Sequence, residues 1–292
     1  MKRCLACGAR FKSDNWTCPK CGHQPALRDG IHQFTEEPLD THAGFKPEYF
    51  ARLAEIEESN FWFRARNALI QWALRNYFPD AKSFFEVGCG TGFVLAGIHE
   101  RFPRMRLAGS EIFAEGLAIA KARLPDVELY QMDARRISFD REFDVLGAFD
   151  VLEHVIEDEN VLAQMFNAAR TGGGLLITVP QHRFLWSVSD QYAMHQRRYN
   201  RDELARKVES AGFQVERITS FNSLLLPLMI WSRLQRNRNR DFQPCREFEI
   251  GPALNKTLEG ILKFERMVIR TGASFSAGGS LLLVGRKPLS PL

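Results

Sequence analysis

Three glycines after a predicted buried strand are the residues of this chain best suited to hold a ligand. The segment 85–92 reads FEVGCGTG, and the apolar-periodic residues after it predict a helix. Glycines let the backbone turn tightly and approach a ligand closely, and the free N–H groups at the start of the helix face the same place. The spacing is GxGxG, whereas a dinucleotide site has GxGxxG. The pattern favours an adenosine cofactor without a pyrophosphate; the alternative is a purely structural turn.

Carboxylates end the next two predicted strands. Residues 105–111 are predicted as a strand that ends at Glu111, and residues 127–133 as one that ends at Asp133. A nucleotide site uses an acid about 20 residues after the glycine turn to bind the ribose hydroxyls. Because ligands bind at the carboxyl ends of parallel strands, both acids and the glycine turn are expected in one crevice. The alternative is that each acid only caps the next helix.

From about Ser83 onwards these features resemble the class I S-adenosylmethionine-dependent methyltransferases, most closely the bacterial type 11/12/23 group. The fourth predicted strand (143–149) leads into 150–155, DVLEHV, a stretch similar to one in the branch with ubiquinone-type O-methyltransferases. The resemblance implies an α/β fold with a Rossmann-like, seven-stranded sheet whose last strand is antiparallel. The residues that it implies for S-adenosylmethionine binding are Glu86, Gly88, Cys89, Gly90, Gly92, Glu111, Ile112, Asp133, Ala134 and Asp150.

The resemblance also implies roles within this set. Glu86 and the glycines surround the methionine and ribose, Glu111 binds the ribose hydroxyls, and Asp133 with Ala134 contacts the adenine. Asp150 faces the methionine end and is a candidate catalytic residue. The Asn/Asp-Pro-Pro-Tyr motif, common at this position in enzymes that methylate amino groups of bases, is absent, which disfavours base N-methylation.

Two CxxCG segments predict a metal site. Cys4 and Cys7 form the first pair and Cys18 and Cys21 the second, with ten residues between the pairs. Four thiolates suit tetrahedral Zn²⁺, and the glycine after each pair permits the turn that aims backbone N–H groups at sulfur. With all four positions filled by protein, the ion would be structural. No signal peptide precedes the cysteines, which indicates a reducing cytoplasm and metal in preference to disulfides.

The chain is predicted to consist of three parts. Residues 1–34 form a zinc ribbon, since 29–34 resemble the exit from ribbons of the Trm112-like type. Residues 35–80 contain a linker with two prolines and then helices over 47–58 and 61–77, which the family resemblance places over the cofactor mouth as a partial lid. The alternative is plain packing of these helices on the sheet, with Arg64 and Arg66 as surface charges. Residues 81–292 form the catalytic domain.

The loop 181–199 holds the candidate general bases. It follows the fifth predicted strand (175–180), which residues 171–174, TGGG, separate from a predicted helix over 157–170. The loop contains two histidines, three arginines, a tryptophan and two tyrosines, and Asn200 with Glu203 predicts the cap of the next helix. His182 is the first candidate base and His195 the second, because imidazole titrates near neutrality; His154 is a further competitor. A base is needed only for protic acceptors, so structural roles and substrate-assisted chemistry are the alternatives.

Two further hypotheses concern charged groups near this loop. Arg197 and Arg198 are candidates to clamp an anionic acceptor, with surface solvation as the alternative. Asp150, Glu153 and His154 resemble a cluster of ubiquinone O-methyltransferases in which a divalent ion orients the acceptor. The second hypothesis is weaker, because adjacent residues of a helix diverge by about 100°.

An insertion at about 221–279 separates the last two predicted strands, which cover 214–220 and 280–286. It contains an apolar stretch with Trp231, followed by arginines at 233, 236, 238 and 240. The stretch is too short to span a bilayer. Residues 224–240 are therefore predicted either to contact an anionic membrane or a lipid-linked acceptor, or to pack with a second helix over 256–270 as a cap or dimer surface.

Composition limits the function further. A net charge of +4 over 292 residues gives no general nucleic-acid footprint. The sequence therefore predicts a cytoplasmic methyltransferase, alternatively peripheral at the inner membrane face, that acts most readily at oxygen of a small or lipid-linked acceptor. The main alternative is a ribosomal-RNA-type methyltransferase whose ribbon touches RNA; a scaffold that binds S-adenosylmethionine without turnover is the third. The acceptor and the oligomeric state are not readable from the sequence.

Overall fold

The computed structural model describes residues 1–35, 49–236 and 250–289; for 234–236 it describes the backbone only. The whole of the predicted linker over 36–47, the arginines at 238 and 240 and the cysteine at 245 lie outside the described residues. The strands are β1 (Lys2–Arg3), β2 (Arg10–Phe11), β3 (Ala26–Arg28), β4 (Ile31–Gln33), β5 (Ser83–Val87), β6 (Arg106–Glu111), β7 (Glu128–Gln131), β8 (Phe143–Phe149), β9 (Ala169–Pro180), β10 (Gln214–Phe221) and β11 (Ser280–Arg286).

Helices fill the connections between these strands. They are α1 (Tyr49–Ile56), α2 (Phe61–Tyr77), α3 (Phe93–Arg101), α4 (Ala114–Arg123), α5 (Asp158–Ala168), α6 (Val188–Tyr192), α7 (Arg201–Ser210), α8 (Leu226–Arg236) and α9 (Pro252–Arg270). Asn60 caps α2 and Asn200 caps α7, each accepting a hydrogen bond from a backbone N–H of the first turn. Among the described helices, none is long and apolar enough to cross a membrane.

Most of the strands form one mixed sheet in the order β10-β11-β9-β8-β5-β6-β7-β4-β3. Strands β5 to β9 are parallel, and β11 runs antiparallel to both β9 and β10. The predicted α/β methyltransferase-like fold with an antiparallel last strand is confirmed. The sheet has nine strands where seven were predicted, because β3 and β4 of the cysteine-rich segment join it through a parallel β4–β7 pair.

The core lies on both faces of this sheet. Phe84 and Phe85 are adjacent in β5, are both fully buried, and belong to opposite clusters, as expected from the alternation of side chains along a strand. The cluster under Phe84 includes residues of α2, α3 and α4. The cluster under Phe85 extends to Trp16 of the cysteine-rich segment, so this segment shares a core with the sheet.

One predicted boundary is wrong. Residues 171–174, TGGG, were expected to end a helix before a short strand, but α5 ends at Ala168 and β9 already begins at Ala169. The glycines are required by packing: a Cβ on Gly174 would lie 2.3 Å from the ring of Phe78. The glycines let the long strand β9 run beside β11 while the ring of Phe78, the C-terminal cap residue of α2, covers β9.

The described part of the insertion at 221–279 packs on α2. Leu225, Leu258 and Leu262 form a small buried cluster with Phe61 and other residues of α2. Glu265 of α9 accepts hydrogen bonds from the backbone N–H groups of Ser223 and Leu224, which fixes the start of α8. For the described part of 221–279, the predicted cap interpretation therefore agrees with the contacts.

Candidate functional site

The topology places one crevice at the centre of the sheet. Strand β5 pairs in parallel with β6 on one side and with β8 on the other, so the strand order reverses at β5. In open α/β sheets, ligands bind outside the carboxyl ends of the strands at such a switch point. We call the residues that follow β5 to β10 at this edge the C-terminal edge. The segments after β5, β6 and β7 form one half of it, and those after β8, β9 and β10 the other.

The glycine turn follows β5. Gly88, Gly90 and Gly92 all have left-handed backbones, with φ of 69°, 52° and 74°. A Cβ on Gly88 would lie 2.6 Å from Val151 Cγ2, so this position requires glycine both for its φ and for the close approach of the next segment. The Cys89 thiol is buried beneath the turn and packs against Gly109 of β6. The turn thus exposes backbone and not side chains to the crevice.

Glu111 binds the glycine turn from the end of β6. Its carboxylate accepts hydrogen bonds from the backbone N–H of Gly90 (3.0 Å), Ile112 (2.8 Å) and Phe113 (3.1 Å). Burial raises the pKa of Glu111 against the opposing effect of these three donors. Glu111, the residue predicted to bind the ribose hydroxyls, therefore also holds together the loops that follow β5 and β6.

Glu86, Asp150 and Arg66 form a buried charged group between β5 and β8. Glu86 is 2% exposed, and its Oε2 has no hydrogen-bond partner among the described residues. Burial raises the pKa of Glu86 well above its usual value, against the opposing charge of Arg66. Asp150 has a left-handed φ of 58° and forms an ion pair with Arg66 of α2. The alternative of two surface charges therefore holds for Arg64, which pairs with Glu259, and not for the buried Arg66.

Asp133 is less available than the sequence suggested. Its carboxylate accepts two-pronged hydrogen bonds from the Arg135 guanidinium and another from the backbone N–H of residue 135. Strand β7 ends at Gln131, two residues before Asp133. Ala134 is half-buried beside it. To accept a hydrogen bond from an adenine amino group, Asp133 would have to use a carboxylate that the Arg135 guanidinium already binds.

The loop 181–199 is organised by one buried carboxylate. Asp190 accepts hydrogen bonds from His195 Nδ1 (2.9 Å), Arg198 Nε (2.7 Å) and the backbone N–H of Ser187 (2.8 Å). Burial would raise the pKa of Asp190, but the hydrogen bond from His195 and the charge of Arg198 hold it well below the usual range. Arg233 of α8 also pairs with Asp190, at 3.4 Å, so the insertion is attached to this loop.

Both arginines of the predicted clamp pair with carboxylates of this chain. Arg198 is buried and is used by Asp190 and by the carbonyl of Gln181. Arg197 pairs with Asp158 at 2.7 Å. Tyr199, fully buried, donates its hydroxyl to the same Asp158. These residues anchor the loop to the sheet and to α5, so they do not present an anion site.

Two further residues at the C-terminal edge combine strain with unpaired polar atoms. His182 follows β9 with φ of 64° and Asn222 follows β10 with φ of 60°. His182 Nε2 and Asn222 Oδ1 are buried without a partner among the described residues. Strained non-glycine backbones cluster at binding sites, and burial together with Arg198 lowers the pKa of His182. Sequence reasoning found His182 but missed Asn222, for which only asparagine's tolerance of left-handed φ gave a signal.

His195 lies beside the residues that follow Asp150. Its ring contacts that of His154 edge-on at 4.7 Å, and donor atoms of Glu153, His154 and His195 all lie within 4.8 Å of one another. Glu153 is fully buried, and both its carboxylate oxygens lack a partner among the described residues. These are ligand types that a divalent ion accepts. The metal hypothesis therefore stays open with Glu153, His154 and His195 as the ligands. Asp150 is not among them, because it pairs with Arg66.

The four cysteines of the two CxxCG segments, which we call knuckles, lie together. The Cys4 and Cys21 sulfurs are 3.7 Å apart and those of Cys7 and Cys18 are 3.6 Å apart, with no disulfide among the described cysteines. Sulfurs on a tetrahedron around Zn²⁺ at about 2.3 Å would be separated by roughly 3.8 Å. Gly8 and Gly22 have φ of 73° and 72°, and each donates its N–H to the carbonyl of the first cysteine of its knuckle. The donor set and spacing fit a four-coordinate ion.

Comparison with known proteins agrees with this arrangement. The chain is 27% identical over 168 residues to a probable S-adenosylmethionine-dependent methyltransferase of Mycolicibacterium smegmatis, covering 55% of this chain and 62% of that protein. It is 32% identical over 103 residues to trans-aconitate 2-methyltransferase of Azoarcus sp., covering 35% and 41%. The chain thus spans less than two thirds of the length of these curated relatives.

A solved structure and a family profile extend the comparison. A chain from the complex between the Haloferax volcanii Trm112 methyltransferase activator and a methyltransferase has a similar fold, with a TM-score of 0.56 and 16% identity over 83% of this chain and 97% of that one. At this identity the likeness concerns the fold alone. The profile of a methyltransferase domain family matches residues 57–218, which is more than half of the chain and includes the whole glycine turn. The chain belongs to this family of methyltransferase domains, whose methyl donor is S-adenosylmethionine.

Proposed function

We propose that the chain transfers the methyl group of S-adenosylmethionine to an oxygen atom of a small or lipid-linked acceptor of quinone, glycan or lipid type. In this proposal the first half of the C-terminal edge, together with Asp150 after β8, holds the cofactor. The residues are Glu86, Gly88, Cys89, Gly90, Gly92, Glu111, Ile112, Asp133, Ala134 and Asp150. The four-cysteine cluster holds a structural Zn²⁺. The observation that carries the choice of a protic acceptor, of which a hydroxyl is the case proposed here, is the His195–Asp190 pair, because a base is needed only when the acceptor must lose a proton.

The geometry supports His195 as the base ahead of His182. Asp190 accepts from His195 Nδ1, which leaves Nε2 of His195 as the basic nitrogen, in the arrangement that orients catalytic imidazoles elsewhere. In the part of the chain that the structure describes, no carboxylate pairs with His182, and its unpaired Nε2 suits a hydrogen bond to the acceptor. The role of Asp150 in this proposal is to position the methionine end and not to move a proton.

Replacing His195 by alanine is expected to lower turnover by about 100-fold or more while leaving cofactor affinity unchanged, since general base catalysis contributes roughly 10²–10⁴-fold. His182→Ala is expected to lower turnover less, by about 10-fold, because it removes a hydrogen bond and not the base. Turnover is measured by methyl transfer and affinity by calorimetry with S-adenosylhomocysteine. Turnover that rises with added Mg²⁺ or Mn²⁺ and is lost in Glu153→Gln would instead assign His195 to a metal ion.

Exposed apolar side chains support a lipid-linked acceptor. Leu224, Leu228 and Trp231, spaced as on one helix face, are 42%, 44% and 57% exposed at and before α8. Phe184, in the segment that α8 contacts, is 65% exposed. Arg233, expected to face anionic lipid, instead bonds to Ser187 and Asp190. Exposed basic residues are found on α9 at 256, 263 and 270, beside exposed Leu254, Phe264 and Met267.

We expect the double variant Leu228→Ser/Trp231→Ser to bind vesicles that contain phosphatidylglycerol at least 10-fold more weakly than the wild type at low salt, since each removed side chain contributes about 1.5 kcal/mol or more when buried. Flotation of vesicles measures the bound fraction. Leu27→Ser is the matched control, because Leu27 is 61% exposed but lies in the cysteine-rich segment. A wild type that stays unbound would exclude the membrane contact.

Two basic residues of the ribbon bind other groups of this chain, which weakens the RNA alternative. The Lys2 ammonium donates to the carbonyls of Ser13, Asp14 and Asn15, and Arg10 pairs with Asp140 at 3.3 Å. Lys12, Lys20 and Arg28 of the ribbon are exposed, and Arg10 is exposed beside its partner.

Transfer of label from methyl-labelled S-adenosylmethionine into fractionated cell material tests the proposed function. Label in solvent-extractable lipid or small molecules, reduced in His195→Ala, is the expected result. Label in RNA, with transfer that falls steeply with salt, would favour the alternative. Cofactor binding without label in any fraction would indicate a scaffold.

A further inference from the structure

Several polar side chains near the ends of β9 and β10 bury an atom that has no hydrogen-bond partner among the described residues. The atoms are Gln181 Oε1, His182 Nε2, Ser220 Oγ, Asn222 Oδ1 and Ser223 Oγ. Gln181, Ser220 and Asn222 are 1%, 0% and 5% exposed. Because an unpaired polar atom is costly to bury, proteins leave few of them, and a group of them in one place requires an explanation. We call these residues the polar cluster.

The polar cluster surrounds the turn that precedes β11. Gln181 donates its N–H to the carbonyl of Gly279 at 2.9 Å, and Gly279 donates its own N–H to the carbonyl of Asn222 at 3.3 Å. A Cβ on Gly278 would lie 2.7 Å from Ser223 Oγ. The two glycines therefore let the side chains that follow β9 and those that follow β10 approach the same turn.

The free hydrogen-bonding capacity of the polar cluster is mainly that of acceptors. Nε2 of Gln181 already donates to the carbonyl of Ser276 at 3.2 Å, and Nδ2 of Asn222 donates to Sδ of Met229 at 3.1 Å. The two amide oxygens that remain can only accept, whereas the serine hydroxyls and a neutral imidazole can accept or donate. A ligand that satisfies the polar cluster must therefore bring several O–H or N–H donors.

The charged groups next to the polar cluster are already paired. Glu265 accepts from the backbone N–H of Ser223 at 2.7 Å. Arg198 donates to the carbonyl of Gln181 at 3.1 Å while it pairs with Asp190. An anionic ligand would meet the carboxylate of Glu265 and the amide oxygens, with Arg198 already committed to another acid. The site thus favours a neutral ligand that is rich in hydroxyl groups.

Helix α8 covers the polar cluster. A Cβ on Gly279 would lie 2.8 Å from Sδ of Met229, and Arg233, one turn later on α8, pairs with Asp190 at 3.4 Å. Asn222 Oδ1 is buried beside this face of the helix, so a ligand reaches it only when the Met229 side chain moves. Methionine is unbranched and adapts readily to a new neighbour.

We propose that the polar cluster binds the sugar ring of a neutral glycan or glycolipid acceptor, whose hydroxyls donate to the amide oxygens of Gln181 and Asn222. A sugar ring carries hydroxyls on neighbouring carbons, whereas a quinol presents few donors and a carboxylate none. This inference rests on the proposed function and selects one of its acceptor types. The polar cluster lies one strand beyond Asp150, whose N–H donates to the carbonyl of Thr178 in β9 at 2.9 Å.

The position suits transfer to a sugar hydroxyl at the near end of the ring. The hydroxyl oxygen forms a bond to the methyl carbon while the carbon–sulfur bond breaks and leaves its electron pair on sulfur. The hydroxyl proton passes to His195, and the remaining hydroxyls stay bound to the polar cluster.

Product analysis tests the class of acceptor. Label transferred from methyl-labelled S-adenosylmethionine into the lipid and small-molecule fractions is hydrolysed with acid, and we expect to recover it as an O-methyl monosaccharide. Partition between solvent and water before hydrolysis distinguishes a glycolipid from a free glycan. Label released as methanol by mild alkali would indicate a methyl ester, and label left in the apolar residue after acid would indicate a quinol; either result overturns the inference. No label in any fraction, with S-adenosylhomocysteine still bound, would overturn the proposed transfer itself, which is a different outcome.

Variants of Asn222 test the polar cluster. Asn222→Gly removes the amide and tolerates the φ of 60° at this position. We expect it to lower the initial rate at limiting acceptor by about 10-fold, the effect of one lost hydrogen bond. Asn222→Asp keeps acceptor oxygens and should stay within about 3-fold of the wild type. Both variants should bind S-adenosylhomocysteine as the wild type does.

Asn167→Ala is the matched control, because Asn167 is exposed on α5. It should transfer label at the wild-type rate. A larger loss in Asn222→Asp than in Asn222→Gly would indicate an anionic acceptor, and equal losses would mean that only the amide N–H to Met229 matters. Wild-type rates in both variants would mean that the acceptor does not contact the polar cluster. Each of these three results overturns the inference.

Discussion

Replacing Cys18 by serine is expected to lower the melting temperature of the whole catalytic sheet, and not only of the cysteine-rich segment, by about 5–15 °C. The proposed Zn²⁺ fixes the two knuckles, and a four-cysteine site with one ligand removed loses most of its metal affinity. Without the ion, the short strands β1 to β4 have little to hold them, because they contribute few backbone hydrogen bonds of their own.

The effect should reach the sheet because the two parts share a core. Cys4 and Cys18 are 5% and 1% exposed and belong to the same buried cluster as Phe85 and Phe139. The Trp16 ring packs edge-on against Phe34, Tyr130 and Phe139, with centroid distances of 4.7, 5.6 and 5.4 Å. Loss of a buried tryptophan's contacts costs about 3–5 kcal/mol. The parallel β4–β7 pair would be lost as well.

Scanning calorimetry and hydrogen exchange at β7 measure this coupling. Lys20→Ala is the control, because Lys20 is exposed within the second knuckle and contributes no sulfur. We expect one cooperative transition at a lower temperature and faster exchange of the β7 amides. A separate early transition of the cysteine-rich segment, with the main transition unchanged, would contradict the shared core.

The sequence was most informative where local pattern and burial agree. Strands β8 and β11 were predicted with their observed bounds, because each is an apolar run that polar or turn residues end on both sides. Asn200 was predicted to cap α7 from its type and its spacing to Glu203, and its side chain accepts from the backbone N–H of that residue. Such features depend on a few neighbouring residues.

Errors arose where distant residues decide the conformation. The glycines at 172–174 have the composition of a helix stop, but the ring of Phe78, almost 100 residues earlier, is what requires a glycine at 174. The parallel pairing of β4 with β7 joins residues about 100 positions apart and leaves no periodic signal. The alternative of a surface charge at Arg66 stayed open in the sequence because its partner, Asp150, follows it by 84 residues.

Replacing Glu111 by alanine is expected to lower the affinity for S-adenosylhomocysteine by about 100-fold or more. The resemblance assigns the ribose hydroxyls to Glu111, and hydrogen bonds to a charged group contribute about 1.5–3 kcal/mol each. The same carboxylate accepts from the backbone N–H groups of Gly90, Ile112 and Phe113, so alanine would also leave three donors of the cofactor loops unpaired. Both effects act in the same direction on binding.

Two comparisons separate these effects in calorimetric titrations. Glu115→Ala is the matched control, since Glu115 is exposed in the first turn of α4, four residues away. Asp133→Ala is expected to weaken binding by less than about 10-fold, because Arg135 already holds that carboxylate. The wild type should prefer 5′-methylthioadenosine to its 2′-deoxy analogue, and Glu111→Ala should lose this preference. A variant that keeps the preference while binding weakly would show that Glu111 acts on the loops alone, and a variant that binds like the wild type would remove the glycine turn from the cofactor site.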